Sequence, residues 1–395
     1  MNIERFEKVS ACALNRIFGY EPLVARHLVD TLGNCSGVFS LTGSELREIA
    51  GTGFKYSDKI NDSALEAAER ELERLQNQGC DFVAVTSADY PDLLKDCEDA
   101  PVGLYFKGTS SPGEVFNSLP CISIVGTRDL SPYGKEWCER IVRGIADAGK
   151  ACIVSGLALG VDITAHMAAL ACGLPTISVM PTGIDEVYPR RHRIPAGKIA
   201  SSPGSALITD FPPGTGAQAF TFLRRNRIIA AMSASTILIE SKAKGGGMIT
   251  ARLASGYGRN VFCVPGRMDD LRSQGCNFLI QEKIAEIIGS IESLVRELGL
   301  HPSEKAGKNL ADTVAEHYLG TLPEENVREL SRVAAIIEAQ RGIDIEEIGR
   351  RADIGYSRAS RDTALLEADG YISIDLMQRC IINACCKLPA PRRMS

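Results

Sequence analysis

A series of short apolar runs, most of them closed by a glycine turn and followed by a helical pattern, leaves this chain few folds to choose from. Residues 121–125 end in Gly126-Thr127-Arg128, and 152–154 end in the turn from Ser155 to Gly160. Residues 176–180 end in Pro181-Thr182-Gly183, and 236–239 run into a basic turn ending Gly245-Gly246-Gly247. Residues 261–264 end in Pro265-Gly266, and helical patterns fill 133–148, 162–172 and 248–257. Continuous apolar runs are strands buried on both faces. Their alternation with helices predicts an α/β fold with a doubly wound, mostly parallel sheet. Right-handed crossovers gather the carboxyl ends of such strands on one edge, where open α/β sheets bind their ligands. Further strands are expected at 82–86, 104–106 and 206–209.

The stretch from Phe220 to Val264 adds chemistry to that frame. Phe220 and Phe222 precede Arg224, Arg225, Asn226 and Arg227, and the turn after the next strand carries Lys242 and Lys244 before its glycines. From Gln218 to Arg272 nine basic residues face three acidic ones, within a chain whose net charge is −5. A locally basic, aromatic-bearing segment in an acidic protein points to an anionic ligand. Glycines admit a phosphate close to the backbone, and a helix N-terminus offers N–H groups and a positive dipole end. Arginines fork onto phosphate oxygens, and Phe222 offers a ring for a base. A solvated arginine face and an ordinary glycine turn are the alternative at this point.

Other features exclude more than they assign. The N-terminus MNIERFEKVS is charged where a signal peptide is apolar, and no uncharged run approaches a membrane span. A cytoplasmic protein is expected. None of the 13 cysteines forms a CxxC pair, and Cys380, Cys385 and Cys386 have no histidine beside them. Neither a metal nor a cofactor is expected. Asp162 and His166, four apart on a helix, are read as helix cap and packing residue rather than as an acid–base pair, and no catalytic set stands out.

Four segments are expected along the chain: a helical, SAM-like or helix-hairpin-helix-like domain at 1–80, an extended Rossmann-like domain at 81–298, a linker at 299–325 and a winged-helix domain at 326–395. In the last, Ser357, Arg358, Ser360 and Arg361 open the helix that reads DNA in such folds. Glu346, Glu347, Asp362, Glu367 and Asp369 lie nearby, so DNA and protein contact both stay open.

Seven ordered motifs resemble the DNA-processing protein DprA/Smf family: SIVGTR from Ser123, SGLALGVDITAH from Ser155, TGIDEVYP from Thr182, FPPGT from Phe211, FLRRNRIIAAMS from Phe222, GGGMITARLA from Gly245 and VPGRMDDLRSQGCNFLI from Val264. The resemblance implies an extended Rossmann domain that binds single-stranded DNA, a homodimer, and loading of the RecA recombinase onto incoming strands in natural transformation, without catalysis. The candidate DNA contacts are Gly126, Arg128, Ser155, Gly156, Gly160, Gly183, Phe222, Arg224, Arg225, Asn226, Arg227, Lys242, Gly245, Gly246 and Gly247. The family often has Arg where Leu159 stands, Asn at His192, Ser-Glu at Thr209-Asp210, Pro at Leu223 and a basic residue near Ala219. A second reading, of a different class, is a nucleotide-processing enzyme resembling the lysine-decarboxylase-like phosphoribohydrolases, with Glu240 as its acid.

Overall fold

The computed structural model describes residues 2–19, 21–300, 310–340, 342–375 and 377–382. The chain forms two compact units, one of residues 1–146 and 150–300, the other of 147–149 and 301–395. Among the described residues no helix is long and apolar enough to cross a membrane.

The first unit is built on a nine-stranded sheet. In chain order its strands are β1 (Asp81–Ala84), β2 (Gly103–Gly108), β3 (Cys121–Val125), β4 (Cys152–Ser155), β5 (Thr176–Val179), β6 (Ala206–Thr209), β7 (Ser235–Leu238), β8 (Asn260–Cys263) and β9 (Glu286–Ile287). Their spatial order is β1-β2-β6-β5-β4-β3-β7-β8-β9. β1 and β2 pair antiparallel, β2 meets β6 antiparallel, and β6 through β9 are parallel. This is the extended Rossmann-like, doubly wound sheet that the apolar runs predict. β3 to β6 are buried at every position, as strands covered on both faces must be. Two of the hydroxyls among them are satisfied locally: Ser123 Oγ lies 2.7 Å from Thr236 Oγ1, and Ser155 donates to the Ile124 carbonyl at 2.6 Å.

The order reverses at β3. β4, β5 and β6 lie on one side of it, and β7, β8 and β9 on the other. The loops leaving β3 and β7 therefore diverge, which opens a crevice at the strands' carboxyl ends. Two helices frame it, the arginine helix Ala219–Ala231 and the glycine helix Gly246–Gly256.

Helices Ile3–Phe18, Pro22–Leu32, Gly43–Ala50 and Asp62–Asn77 precede β1, and their core is continuous with the sheet and belongs to the same unit. Tyr105 on β2 donates to Glu71 at 2.6 Å, Asn15 donates to the Asp210 carbonyl at 2.9 Å, and Lys8 pairs with Asp81. Arg193–Ser201 and Gln274–Gln281 are among the helices that escaped the sequence analysis, as are the short Asp92–Lys95 and Pro112–Asn117.

The second unit holds helices Leu310–Tyr318, Glu324–Ala339, Ile345–Arg351 and Tyr356–Ala368. A small sheet of β10 (Ile343–Asp344), β11 (Ile372–Ile374) and β12 (Arg379–Ile382) joins them in the order β10-β12-β11. The linker expected at 299–325 is corrected: Leu310, Val314 and Tyr318 recur at helical spacing and enter this unit's core. The polar run 301–309, like Cys385 and Cys386, lies outside the described residues. Glu329 binds Arg358 at 3.1 Å and Arg361 at 3.0 Å, and Arg361 also pairs with Asp362 at 2.8 Å. Arg358 and Arg361, for which DNA and protein contact both stayed open, are thus already engaged by carboxylates.

Candidate functional site

The crevice at the β3/β7 switch point is a cleft of about 640 Å³. The β3 loop contributes Gly126, Thr127 and Arg128, the arginine helix Phe222, Arg225 and Asn226, and the β7 turn Lys242, Lys244 and Gly245 to Gly247. Glycine here answers to space more than to left-handed backbone. A Cβ on Gly247 would fall 2.7 Å from Leu238 Cδ1 and 3.1 Å from the Gly126 Cα, and one on Gly126 would fall 2.8 Å from the Glu240 carbonyl. The β3 loop and the glycine helix approach closely because neither residue has a side chain. The glycine helix begins at Gly246, two residues earlier than its apolar pattern suggests, with Gly245 as N-cap. The Met248 N–H bonds back to the Gly245 carbonyl at 3.1 Å, which leaves the N–H groups of Gly246 and Gly247 as the first-turn donors at the cleft.

Arg128 is exposed, and its guanidinium lies 4.7 Å from the centroid of the Phe222 ring. Ring and guanidinium form a stacked pair at the cleft wall, a cation and a flat surface in one place. Tyr188 meets the same ring edge-on, 5.5 Å between centroids at 71°. Lys242 and Lys244, in the same lining, are exposed.

The other arginines behave differently, and the expectation that all of them face phosphate is corrected. Arg227 is 7% exposed, donates to Asp210 at 2.7 Å and to the Asp99 carbonyl, and so serves the interior. Arg224 donates to the Gly19 carbonyl and lies 3.9 Å from Asp210. Arg225 does reach the cleft wall, but it is 3% exposed, donates to the Val179 carbonyl at 3.0 Å and lies 3.9 Å from Asp162. Burial pulls its guanidinium down to about 10, with Asp162 opposing and Arg128 assisting.

Four more candidates shape the site without lining it. Ser155 spends its hydroxyl on Ile124. Gly156 makes room for Arg225, whose Nη1 would lie 1.2 Å from a Cβ there. Gly160 takes a φ of +75° and sits against the Thr127 carbonyl, 2.2 Å from where a Cβ would be. Gly183 is wedged between Asp185 and the Pro212 carbonyl and donates its N–H to the Thr215 carbonyl at 2.9 Å. Of the departures from the family pattern, Ala219 and Leu223 line the cleft, Leu223 being half exposed. His192 is buried 2.8 Å from the Leu157 carbonyl.

The acid–base candidates are turned away from one another. His166 Nδ1 lies 2.7 Å from Thr176 Oγ1 on β5, while Asp162 faces Arg225 and accepts from the Ala158 N–H. Asp162 occupies the second helical position, with Gly160 as N-cap, so it braces the loop rather than capping the helix. Burial raises its carboxyl. Glu240 is 1% exposed and accepts from the Ser131 N–H at 3.0 Å and from the Ser131 hydroxyl, at the start of helix Pro132–Ala148. The acid that a phosphoribohydrolase-like reading requires is thereby occupied away from the cleft lining. Sequence reasoning also overlooked Tyr188: its approach to Phe222 joins a loop to a helix 34 residues on, and only the quoted TGIDEVYP motif hinted at it.

A family model, DNA recombination-mediator protein A, matches residues 81–299. The Synechocystis protein Smf is 30% identical, over 81% of this chain and 79% of that protein. The Streptococcus pneumoniae DNA processing protein DprA is 36% identical over 53% of this chain and 71% of its own length. The X-ray structure of DprA from Streptococcus pneumoniae superposes with a TM-score of 0.59 at 27% identity, covering 75% of this chain and 96% of that one.

Proposed function

Because this chain belongs to the DNA recombination-mediator protein A family, we propose that it is a cytoplasmic single-stranded DNA-binding protein that loads the RecA recombinase, works as a homodimer and uses its cleft for binding rather than catalysis. The observation that carries the reading is the Arg128–Phe222 pair sharing the lining of the switch-point crevice with Lys242, Lys244 and the N-terminus of the glycine helix. Arg128 and the lysines are placed to take phosphates, the glycine-turn N–H groups to take the backbone, and Phe222 to stack a base. Asn226, one helical turn from Phe222 and also in the lining, adds amide donors and an acceptor for a base edge. A ring that stacks a base needs that base unpaired, so single strand is preferred over duplex.

Salt titration separates the two roles. Arg128→Ala should make the plot of log affinity against log salt shallower by about 0.7, the single-strand value per neutralised phosphate. Phe222→Ala should cost about 1–3 kcal/mol with the slope nearly unchanged, because a ring releases no counterions. A parent protein that binds duplex as well as single strand, or an Arg128→Ala slope equal to the parent's, overturns the reading.

For the dimer, Met268, Leu271, Phe278 and Ile249 supply exposed apolar surface, Met268 at 91% exposure. Light scattering at micromolar concentration should give twice the 42.5 kDa chain mass. A monomer mass would remove the homodimer.

A further inference from the structure

Tyr188 and the basic turn after it lie outside the cleft lining. Tyr188 is 40% exposed and contacts Phe222. Two residues on, Arg190–His192 form a single 3-10 turn that leads directly into helix Arg193–Ser201. His192 anchors that turn, its Nδ1 2.8 Å from the carbonyl of Leu157, whose neighbour Ala158 lines the cleft. The turn is therefore fastened to the cleft rim at both ends, through Tyr188 on Phe222 and through His192 on Leu157. Arg190 and Arg191 between these anchors, and Arg193 just past them, are all exposed. Among nearby acids, Asp185 is occupied by the Gly214 N–H, 3.0 Å from each carboxylate oxygen, and Glu186 is half-buried.

Rings that take bases, followed by cations that take phosphates, are what tracks a single strand. We infer that a strand leaving the Phe222 step continues over Tyr188 and along Arg190, Arg191 and Arg193, so that the binding site is longer than the cleft. The inference rests on the cleft being a single-strand site.

Affinities of the full chain for oligodeoxythymidylates of about 4 and about 12 nucleotides, lengths spanning typical single-strand sites, test it. The parent should bind the longer oligonucleotide more tightly. Arg190→Gln with Arg191→Gln should leave the shorter one unaffected, and its salt slope on the longer one should be shallower by about 1.4, two phosphates' worth. Tyr188→Ala should weaken the longer one about fivefold or more, and Tyr188→Phe should match the parent. An arginine double variant that binds both lengths like the parent, or loses equally on both, overturns the extension, as does a Tyr188→Phe variant that binds like Tyr188→Ala. A parent that binds neither oligonucleotide overturns instead the reading of the cleft on which the extension rests.

Discussion

Arg227→Ala should lower the free energy of unfolding by about 3–5 kcal/mol, the usual result of removing one partner from a buried ion pair, and should leave the salt slope of DNA binding where it was. Arg227 is 7% exposed and Asp210 is 4% exposed, and the two are bonded at 2.7 Å. The variant strands the Asp210 carboxylate in the interior and also removes the donor to the Asp99 carbonyl. An added Asp210→Asn change should recover part of the loss, because the stranded charge goes with it. Trp137 is the chain's one tryptophan and lies in the first unit, so its fluorescence during urea unfolding reports on the relevant fold. A loss below about 1 kcal/mol, the worth of an exposed pair, together with a shallower salt slope would return Arg227 to the phosphate surface.

That prediction reverses what the basic cluster suggests when read as a string, and the reason lies in helical geometry. Successive residues turn by about 100°, so Arg224, Arg225 and Arg227 cannot share one face. The cleft-lining residues of this helix are Ala219, Phe222, Leu223, Arg225, Asn226 and Ile229; apart from Arg225 they follow the i, i+3, i+4, i+7 stripe. Arg224 and Arg227, three apart, fall on the other side and reach Gly19, Asp210 and Asp99. That much was available from the spacing. The identity of the partners was not, since Asp99 and Asp210 come from distant loops. The sheet was legible because its strands are covered on both faces and so read as continuous apolar runs. Its switch point followed only from the pairing, for nothing local in 121–125 says that β7 will add on the side opposite β4. The helix Arg193–Ser201 was hidden by Pro195, Gly197 and its exposed cations, which mimic a loop. The polar run before Leu310 likewise drew the supposed linker too far along the chain. Arg128 and Phe222 were picked out separately, by a strand end and by an aromatic beside arginines, but their mutual stacking is a tertiary fact.

His166 should make the first unit acid-sensitive over a defined window. The side chain is fully buried, and Thr176 Oγ1 already donates its proton to the Ile153 carbonyl at 2.6 Å. Thr176 must therefore accept from His166, which places the ring proton on Nδ1 at 2.7 Å. Protonating Nε2 would put a charge where no acceptor stands among the described residues. Burial, with Arg225 and His192 nearby, accordingly pushes His166 down to about 3. In the unfolded chain it titrates near about 6.5. Below that pH the unfolded state binds a proton that the folded state refuses, so acid favours unfolding. The loss should be about 1.4 kcal/mol per pH unit, reaching about 3 kcal/mol by pH 4 and levelling off only near pH 3. Asp162 acts in the opposite sense just above the ordinary carboxylate range, because burial raises its carboxyl and its folded form holds a proton longer. Subtracting the His166→Gln variant's stability from the parent's at each pH cancels that contribution and the other carboxylates. The difference, followed by Trp137 fluorescence from pH 7 to pH 4, should change by about 3 kcal/mol in the direction of a parent that weakens faster. Parallel curves would mean that His166 takes up its proton in the folded protein, and that the packing between the helix Val161–Ala171 and β5 admits a charge.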